Sequence, residues 1–490
     1  MTRAPFAGRL VLPVASVVLL LELALGNRYG YHRDELYFRT AAWHPAAGYD
    51  DQGVFTPFAG RLSEALFGDS PRGLRVLSAL AVAVVVVLVA LVARELGAAS
   101  TGQLIAAAGT AAAGFVLAVG HLLSTATFDL LVWVGLLLVV ARMLGGGDER
   151  LWLVAGLVVG IGLENKQLPL LLVVALALGL ALDRRLIGFL RSPWLWGGVA
   201  LAVALWLPGL AWQADHGFPQ LTLADDIRRD EGAESRATLL PLQLLLVGPL
   251  LAPLLGVGLW ALLRDGRLRA WRSLGIAYLV LLAVLFAAAG KPYYAAPYLL
   301  CLLAAGSVTV ERWVTGRPRQ LALAACLLAS AALAVLVTLP VVPVDRLEST
   351  PIPELNEDAI ETVGWPELVR TVAHVYASLP ARERRTAVVF AGNYGEAGAV
   401  GRFGRGYGLP RAYSGHNAYA RFGIPPGSAG PVIVLGYRDP SVDFGACRRA
   451  ATIDNSVGLD NEEQGGAVFV CGRPRKPWSE AWADLTHLDA

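Results

Sequence analysis

The segment Tyr31-His32-Arg33-Asp34-Glu35-Leu36-Tyr37-Phe38 places a guanidinium, two carboxylates and three aromatic rings within eight residues, just after a long apolar run. A carboxylate there could take a proton from an attacking hydroxyl, and a neighbouring cation could steady an anionic group as it departs. Charge at the edge of an apolar segment is a functional-site candidate by default. Neighbours on a helix point about 100° apart, so Asp34 and Glu35 cannot share one task. Glu35 has Arg39 four residues on and is expected to pair with it, whereas Asp34 faces Phe38 and is freer to meet a substrate. A plain helix start, with Asp34 as its cap, would account for the same acids.

Further polar groups recur along the chain. Asp50 and Asp51 could hold a metal ion or a sugar hydroxyl, or be solvated turn acids. Asp129 follows Ser124, Thr125 and Thr127 and would serve either near a site or as an N-cap. Lys166 and Lys291 are the lysines of the apolar region. In Gly290-Lys291-Pro292-Tyr293-Tyr294 the cation sits among aromatics, as a snorkelling anchor or as a phosphate ligand would. His121 is expected to be a satisfied packing residue. Ser414-Gly415-His416-Asn417 is a polar turn that could touch a substrate. No His, Cys and carboxylate set has zinc-site spacing. Ala391-Gly392-Asn393-Tyr394-Gly395-Glu396-Ala397-Gly398 does not match a dinucleotide-binding fingerprint.

The elements that must position these groups are mostly apolar. Of the 490 residues, 55% are hydrophobic and only 16% charged, and the mean hydropathy is +0.53. This composition belongs to a multi-pass membrane protein rather than a soluble one. The net charge of +2 gives no reason to expect nucleic acid. Spans of about 20 apolar residues fall at about eleven places: 8–25, 73–93, 103–120, 129–144, 151–163, 168–182, 194–213, 239–262, 273–289, 294–311 and 320–340. The first reads as a retained helix rather than a cleaved signal. Arginines concentrate in alternate loops, as in Arg184, Arg185 and Arg191 or Arg264, Arg267, Arg269 and Arg272. That pattern places the N-terminus in the cytoplasm. Asp34, Asp129, Lys166, Lys291 and the C-terminal region then face the other side.

The loop 26–72 should contain a short helix at 34–42 and a second at 55–67, whose Phe55, Phe58, Leu62 and Leu66 suit a helix lying in the membrane interface. Residues 1–342 form the expected membrane domain and 343–364 a proline-marked linker. Residues 365–490 should form an extracytoplasmic α/β domain, with a helix near 366–378 and strands at 386–390, 432–435 and 467–470. Cys447 and Cys471 lie in that domain and are expected to form a disulfide, whereas Cys301 and Cys326 lie in apolar runs.

Together, Arg33-Asp34-Glu35-Leu36-Tyr37, Gly48-Tyr49-Asp50-Asp51-Gln52 with Pro57, Asp129, Lys166, and Lys291-Pro292-Tyr293-Tyr294 with Pro297 resemble membrane glycosyltransferases of the GT-C superfamily. More narrowly they resemble glycosyltransferase family 39, which includes protein O-mannosyltransferases and the lipid A aminoarabinose transferase. Asn393-Tyr394-Gly395-Glu396-Ala397 and Ser414-Gly415-His416-Asn417 look like the external domain of bacterial members. One departure is that Gly53-Val54-Phe55-Thr56 precedes Pro57 where many members have Pro-Pro.

The resemblance implies a GT-C-like fold in the plasma (inner) membrane and a polyprenyl-phosphate-sugar lipid donor. The acceptor would be an extracytoplasmic glycan, lipid or protein, with inversion at the anomeric carbon. Asp34 and Glu35 are then the catalytic candidates, and Arg33, Lys166 and Lys291 the donor-phosphate ligands. Asp50, Asp51, Asp129, Tyr293, Tyr294, His416 and Asn417 are substrate-binding candidates. No cofactor is required by this reading, and a divalent metal is compatible with it. A lipid-linked sugar flippase or transporter is the alternative. It should show inverted repeats and midplane charges, which the sequence lacks. A non-catalytic scaffold is a third reading.

Overall fold

The computed structural model describes residues 3–427 and 430–489. The chain forms two compact units: Met1–Gly26 with Gln52–Thr56 and Arg75–Leu339, and Asn27–Asp51 with Pro57–Leu74 and Pro340–Ala490.

The first unit is a polytopic membrane bundle. Among the described residues seven helices are long and apolar enough to cross a bilayer: Gly8–Leu25, Pro71–Glu95, Thr125–Leu144, Pro193–Asp215, Gly266–Ala288, Pro292–Trp313 and Arg317–Thr338. The number rises to nine if each of two bent pairs is one span. Leu151–Leu163 and Leu168–Leu182 are shorter apolar helices joined at 164–167.

Two expected continuous spans are broken. The span at 239–262 bends by 110° between Gly232–Val247 and Ala252–Arg264. Gly248 adopts a φ of +98°, which ends the helix, and Pro249 cannot donate to continue it. The span at 103–120 bends by 61° after Ala111. There the freed Ala112 carbonyl accepts a hydrogen bond from Ser330 Oγ at 3.2 Å, so the break leaves this group satisfied within the bundle. The acidic and basic segment 214–238, between two of the expected spans, is helical over Pro219–Asp230 and from Gly232 onward.

Small residues let the helices approach. A Cβ on Gly156 would lie 2.1 Å from the Gly198 carbonyl oxygen, so Leu151–Leu163 and Pro193–Asp215 meet backbone to backbone. One buried polar group within the unit is matched on both sides. His121 Nδ1 lies 3.0 Å from Glu22 Oε2, and Arg75 Nη1 lies 3.4 Å from His121 Nε2. His121 is therefore the packing residue expected of it.

In the second unit, five strands form one sheet: β1 (Val388–Ala391), β2 (Ala412–Ser414), β3 (Val432–Leu435), β4 (Cys447–Thr452) and β5 (Ala467–Cys471). Their order is β2-β1-β3-β5-β4, with β1 parallel to β2 and β3, and β5 antiparallel to β3 and β4. β1 and β3 are buried throughout and read as continuous apolar runs, as central strands covered on both faces should. Phe390, Val434, Phe444, Trp478 and Trp482 build the core on one face. The helix Trp365–Ser378 buries Leu368, Val369 and Val372.

Cys447 and Cys471 are paired across β4 and β5 and form the disulfide that the sequence predicts. The segment 343–364 is folded, and Leu347, Ile352 and Val363 pack with Leu459. The loop helices form at Arg33–Ala42 and Phe55–Phe67. Along the second of these Phe58, Leu62 and Leu66 are exposed, the apolar side that an interfacial helix would present to lipid.

Candidate active site

The helix Arg33–Ala42 begins with a capping box. His32 is the N-cap: its Nδ1 accepts from the Asp34 amide at 3.2 Å, while Glu35 Oε2 accepts from the His32 amide at 2.9 Å. His32 Nε2 lies 2.9 Å from Glu361. Asp34 is therefore not the cap. Glu35 is fully buried and does not pair with Arg39, which instead meets Glu64 and, at 2.9 Å, Asp69. The i,i+4 expectation fails because the capping box takes Glu35 inward, while Arg39 finds acids on the next helix and turn.

Released from capping, Asp34 is part-exposed, and its Oδ1 accepts a hydrogen bond from the Tyr394 hydroxyl at 2.8 Å. Arg33 is held by Glu361 at 3.2 Å and Glu462 at 2.7 Å, and its guanidinium lies 5.8 Å from the Tyr394 ring centroid. The Tyr37 ring stacks on Tyr394 at 4.6 Å, and the Tyr37 hydroxyl donates to Asp51 Oδ1 at 2.6 Å. Burial raises the Asp51 pKa, and the charges of Asp50 and Asp34 push it the same way. The Tyr37 hydrogen bond opposes them, and the result is about 7. Asp50 accepts two hydrogen bonds from Arg421, at 2.6 Å from Nε and 2.7 Å from Nη2. The second unit thus brings Arg33, Asp34 and Asp51 around one pair of stacked tyrosines.

His416 completes this aromatic column. Its ring is buried 4.5 Å from the Tyr394 centroid and 4.9 Å from His487, and neither ring nitrogen has a hydrogen-bond partner among the described residues. Burial foremost, then the His487 and Arg33 charges, lower its pKa to about 4, so it is neutral at physiological pH. The Asn417 amide exchanges two hydrogen bonds with the Asp489 backbone and ties down the end of the chain.

The helix Tyr394–Phe403 also opens with a capping box, from Asn393 and Glu396. Glu396 Oε2 accepts from the Gly392 and Asn393 amides at 3.0 and 3.2 Å. Its own carboxylate therefore fills the seat where a nucleotide phosphate would lie, in keeping with the rejected fingerprint.

The first unit carries its own polar cluster. Asn165 Nδ2 donates to Asp129 Oδ1 at 3.2 Å and to the Thr125 carbonyl at 2.8 Å, while its Oδ1 accepts from Thr56 Oγ1 at 2.6 Å. Asp129 is buried and is not a cap, since Ser124 takes that position. The Gly53 and Phe55 amides donate to the Asn165 and Glu164 carbonyls at 3.2 and 2.9 Å. A Cβ on Gly53 would sit 2.0 Å from the Glu164 carbonyl oxygen, so the departure at Gly53-Val54-Phe55-Thr56 is what lets this loop dock.

Lys166 Nζ lies 5.4 Å from the Tyr294 ring centroid, and Tyr293 packs edge-on against Tyr294 at 4.9 Å. Lys291 pairs with Glu231 at 3.3 Å. Among the described residues, no group of three His, Cys, Asp or Glu is placed to hold a metal ion. Sequence reasoning missed Tyr394, Glu361 and Asn165 as neighbours of the candidate groups. Only Tyr394 lies in a stretch already singled out, by its resemblance to external domains.

Residues 51–212 match the family described as dolichyl-phosphate-mannose-protein mannosyltransferase. The crystal structure of ArnT from Cupriavidus metallidurans bound to undecaprenyl phosphate has the same fold. Its TM-score is 0.56 at 13% identity, covering 95% of this chain and 98% of that one. The apo state of the same protein gives a TM-score of 0.54 at 14% identity, covering 97% and 98%. No curated protein matches the chain by sequence. The family match thus covers residues 51–212, while the fold is shared along nearly the whole chain.

Proposed function

We propose that this membrane glycosyltransferase moves one sugar from a polyprenyl-phosphate donor to an acceptor outside the cytoplasm, with inversion. The observation that carries the reading is the match of residues 51–212 to a mannosyltransferase family that takes its sugar from a lipid phosphate. The undecaprenyl phosphate held by the ArnT structure suggests the lipid class.

The chemistry follows from the residues. An acceptor hydroxyl attacks the anomeric carbon, and a new C–O bond forms. The bond from that carbon to the phosphate oxygen breaks, its electron pair leaving with the phosphate. The acceptor proton passes to the Asp34 carboxylate. Arg33, Lys166 and Lys291 meet the charge developing on the departing phosphate. Asp50, Asp51, Asp129, Tyr293, Tyr294, His416 and Asn417 line or support the sugar and acceptor positions, and Glu35 sets the helix that presents Asp34. Arginine placement supports a cytoplasmic N-terminus and an extracytoplasmic C-terminal region in the plasma membrane.

The test is purified protein in liposomes supplied with the membrane-lipid and envelope extract of its source cells. Mass spectrometry should find polyprenyl phosphate released in step with a sugar added to the acceptor. Movement of intact lipid-linked sugar across the bilayer, with no cleavage, would establish the flippase instead.

A further inference from the structure

We infer that Tyr394 is a positioning residue for Asp34, so that the C-terminal segment completes the catalytic carboxylate rather than only binding the acceptor. This rests on the proposed role of Asp34 as the base.

The local sequence brings two helix starts together. Arg33–Ala42 and Tyr394–Phe403 each open with a capping box, which fixes the direction in which their first residues project. Glycines let them touch. A Cβ on Gly395 would lie 2.7 Å from Arg33 Cβ, and one on Gly398 would lie 2.8 Å from Leu36 Cβ and 2.9 Å from the Leu36 carbonyl carbon and oxygen. At this separation Tyr394, the first residue of its helix, sits over the first turn of the other.

Its ring is wedged between Tyr37 at 4.6 Å and His416 at 4.5 Å, which leaves the hydroxyl only a short arc. That hydroxyl donates to Asp34 Oδ1 at 2.8 Å. Burial first, then the charge of Asp34, raises the Tyr394 pKa, so the phenol keeps its proton and acts as a donor. With Oδ1 held in this way, the carboxylate is fixed in one rotamer, and the acceptor proton is taken at Oδ2. A base held in place at the start avoids the reorganisation that a free side chain would need in the transition state.

The experiment compares four proteins in liposomes, with the source-cell lipid and envelope extract as donor and acceptor: wild type, Tyr394→Phe, Asp34→Asn and the double variant. Phenylalanine keeps the ring stack and removes one oxygen. Tyr394→Phe should slow the single-turnover rate roughly tenfold to a hundredfold, while the half-saturating donor concentration stays within about twofold. The double variant should be no slower than Asp34→Asn, because the tyrosine acts through that carboxylate.

4-Aminophenylalanine at position 394 restores an N–H donor in the same place and should recover much of the rate. This arm also separates lost positioning from a folding defect. A normal rate in Tyr394→Phe with a dead Asp34→Asn overturns the inference and leaves the function standing. Multiplying losses in the double variant, or no recovery with the amine, also overturns it. A normal rate in Asp34→Asn would instead strike the proposed function itself.

Discussion

The Tyr37 hydroxyl donates a 2.6 Å hydrogen bond to Asp51, a carboxyl group whose pKa burial raises to about 7. In the unfolded chain the same group titrates near pH 4, at roughly 3.9. Between these values the folded protein holds more protons than the unfolded one, so stability falls as pH rises from about 4 to about 7 and is level beyond. Asp51→Asn removes this term and still accepts from Tyr37. Its melting temperature in detergent should equal that of wild type near pH 4 and exceed it increasingly up to about pH 7. Parallel curves across that range would contradict the assignment.

Its neighbour Asp50 faces Arg421, which binds it bidentately. Arg421→Met should destabilise the protein by roughly 1.5 kcal/mol, the lower end for a hydrogen bond to a charged group, because the Arg421 side chain keeps 45% exposure. Adding Asp50→Asn should recover part of the loss. A melting curve unchanged by Arg421→Met would show that the pair contributes nothing.

These two aspartates mark where sequence reading stops. The turn-rich stretch around Gly48-Tyr49-Asp50-Asp51 announces polar chemistry, but Tyr37 and Arg421, which separate the two acids, lie 14 and 371 positions away. The helices at 34–42 and 55–67 were legible because their signals are local: periodic apolar residues and acids near a helix start. Glu35 was misread as the partner of Arg39 because i,i+4 spacing and a capping box use the same acid, and only the backbone decides between them. The break at Gly248 was hidden in an unbroken apolar run, where a glycine followed by proline reads equally as a tolerated kink. β4 escaped notice because Cys447–Thr452 is largely polar and part-exposed. β2, at three residues, is too short to show a period.

The Cys447–Cys471 disulfide closes a loop of 24 positions and should stabilise the second unit by roughly 3 kcal/mol in the chain-entropy account. Alkylation of the denatured, unreduced protein should label Cys301 and Cys326 alone, and all four cysteines after reduction. Four labelled cysteines before reduction would contradict the bond.

Lys291, proposed to hold the donor phosphate, already faces Glu231 at 3.3 Å, so a phosphate must compete with that carboxylate. Lys291→Ala should raise the half-saturating donor concentration about tenfold, as expected for loss of a hydrogen bond to a charged group. Glu231→Gln should lower it or leave it unchanged. A donor dependence untouched by Lys291→Ala would assign the lysine to its ion pair alone.

The central claim is that Asp34 takes the acceptor proton. General-base assistance is commonly worth about 10²–10⁴ in rate, and Asp34→Asn keeps the size of the side chain while removing the basic oxygen. The direct measurement is the single-turnover rate of Asp34→Asn, with donor binding followed in parallel and Glu35→Gln and Asp129→Asn as comparisons. The account predicts a loss of at least about a hundredfold in Asp34→Asn with donor binding retained, and a smaller loss in Glu35→Gln. Near-normal turnover in Asp34→Asn, with Glu35→Gln or Asp129→Asn inactive, would contradict it and move the base to another carboxylate.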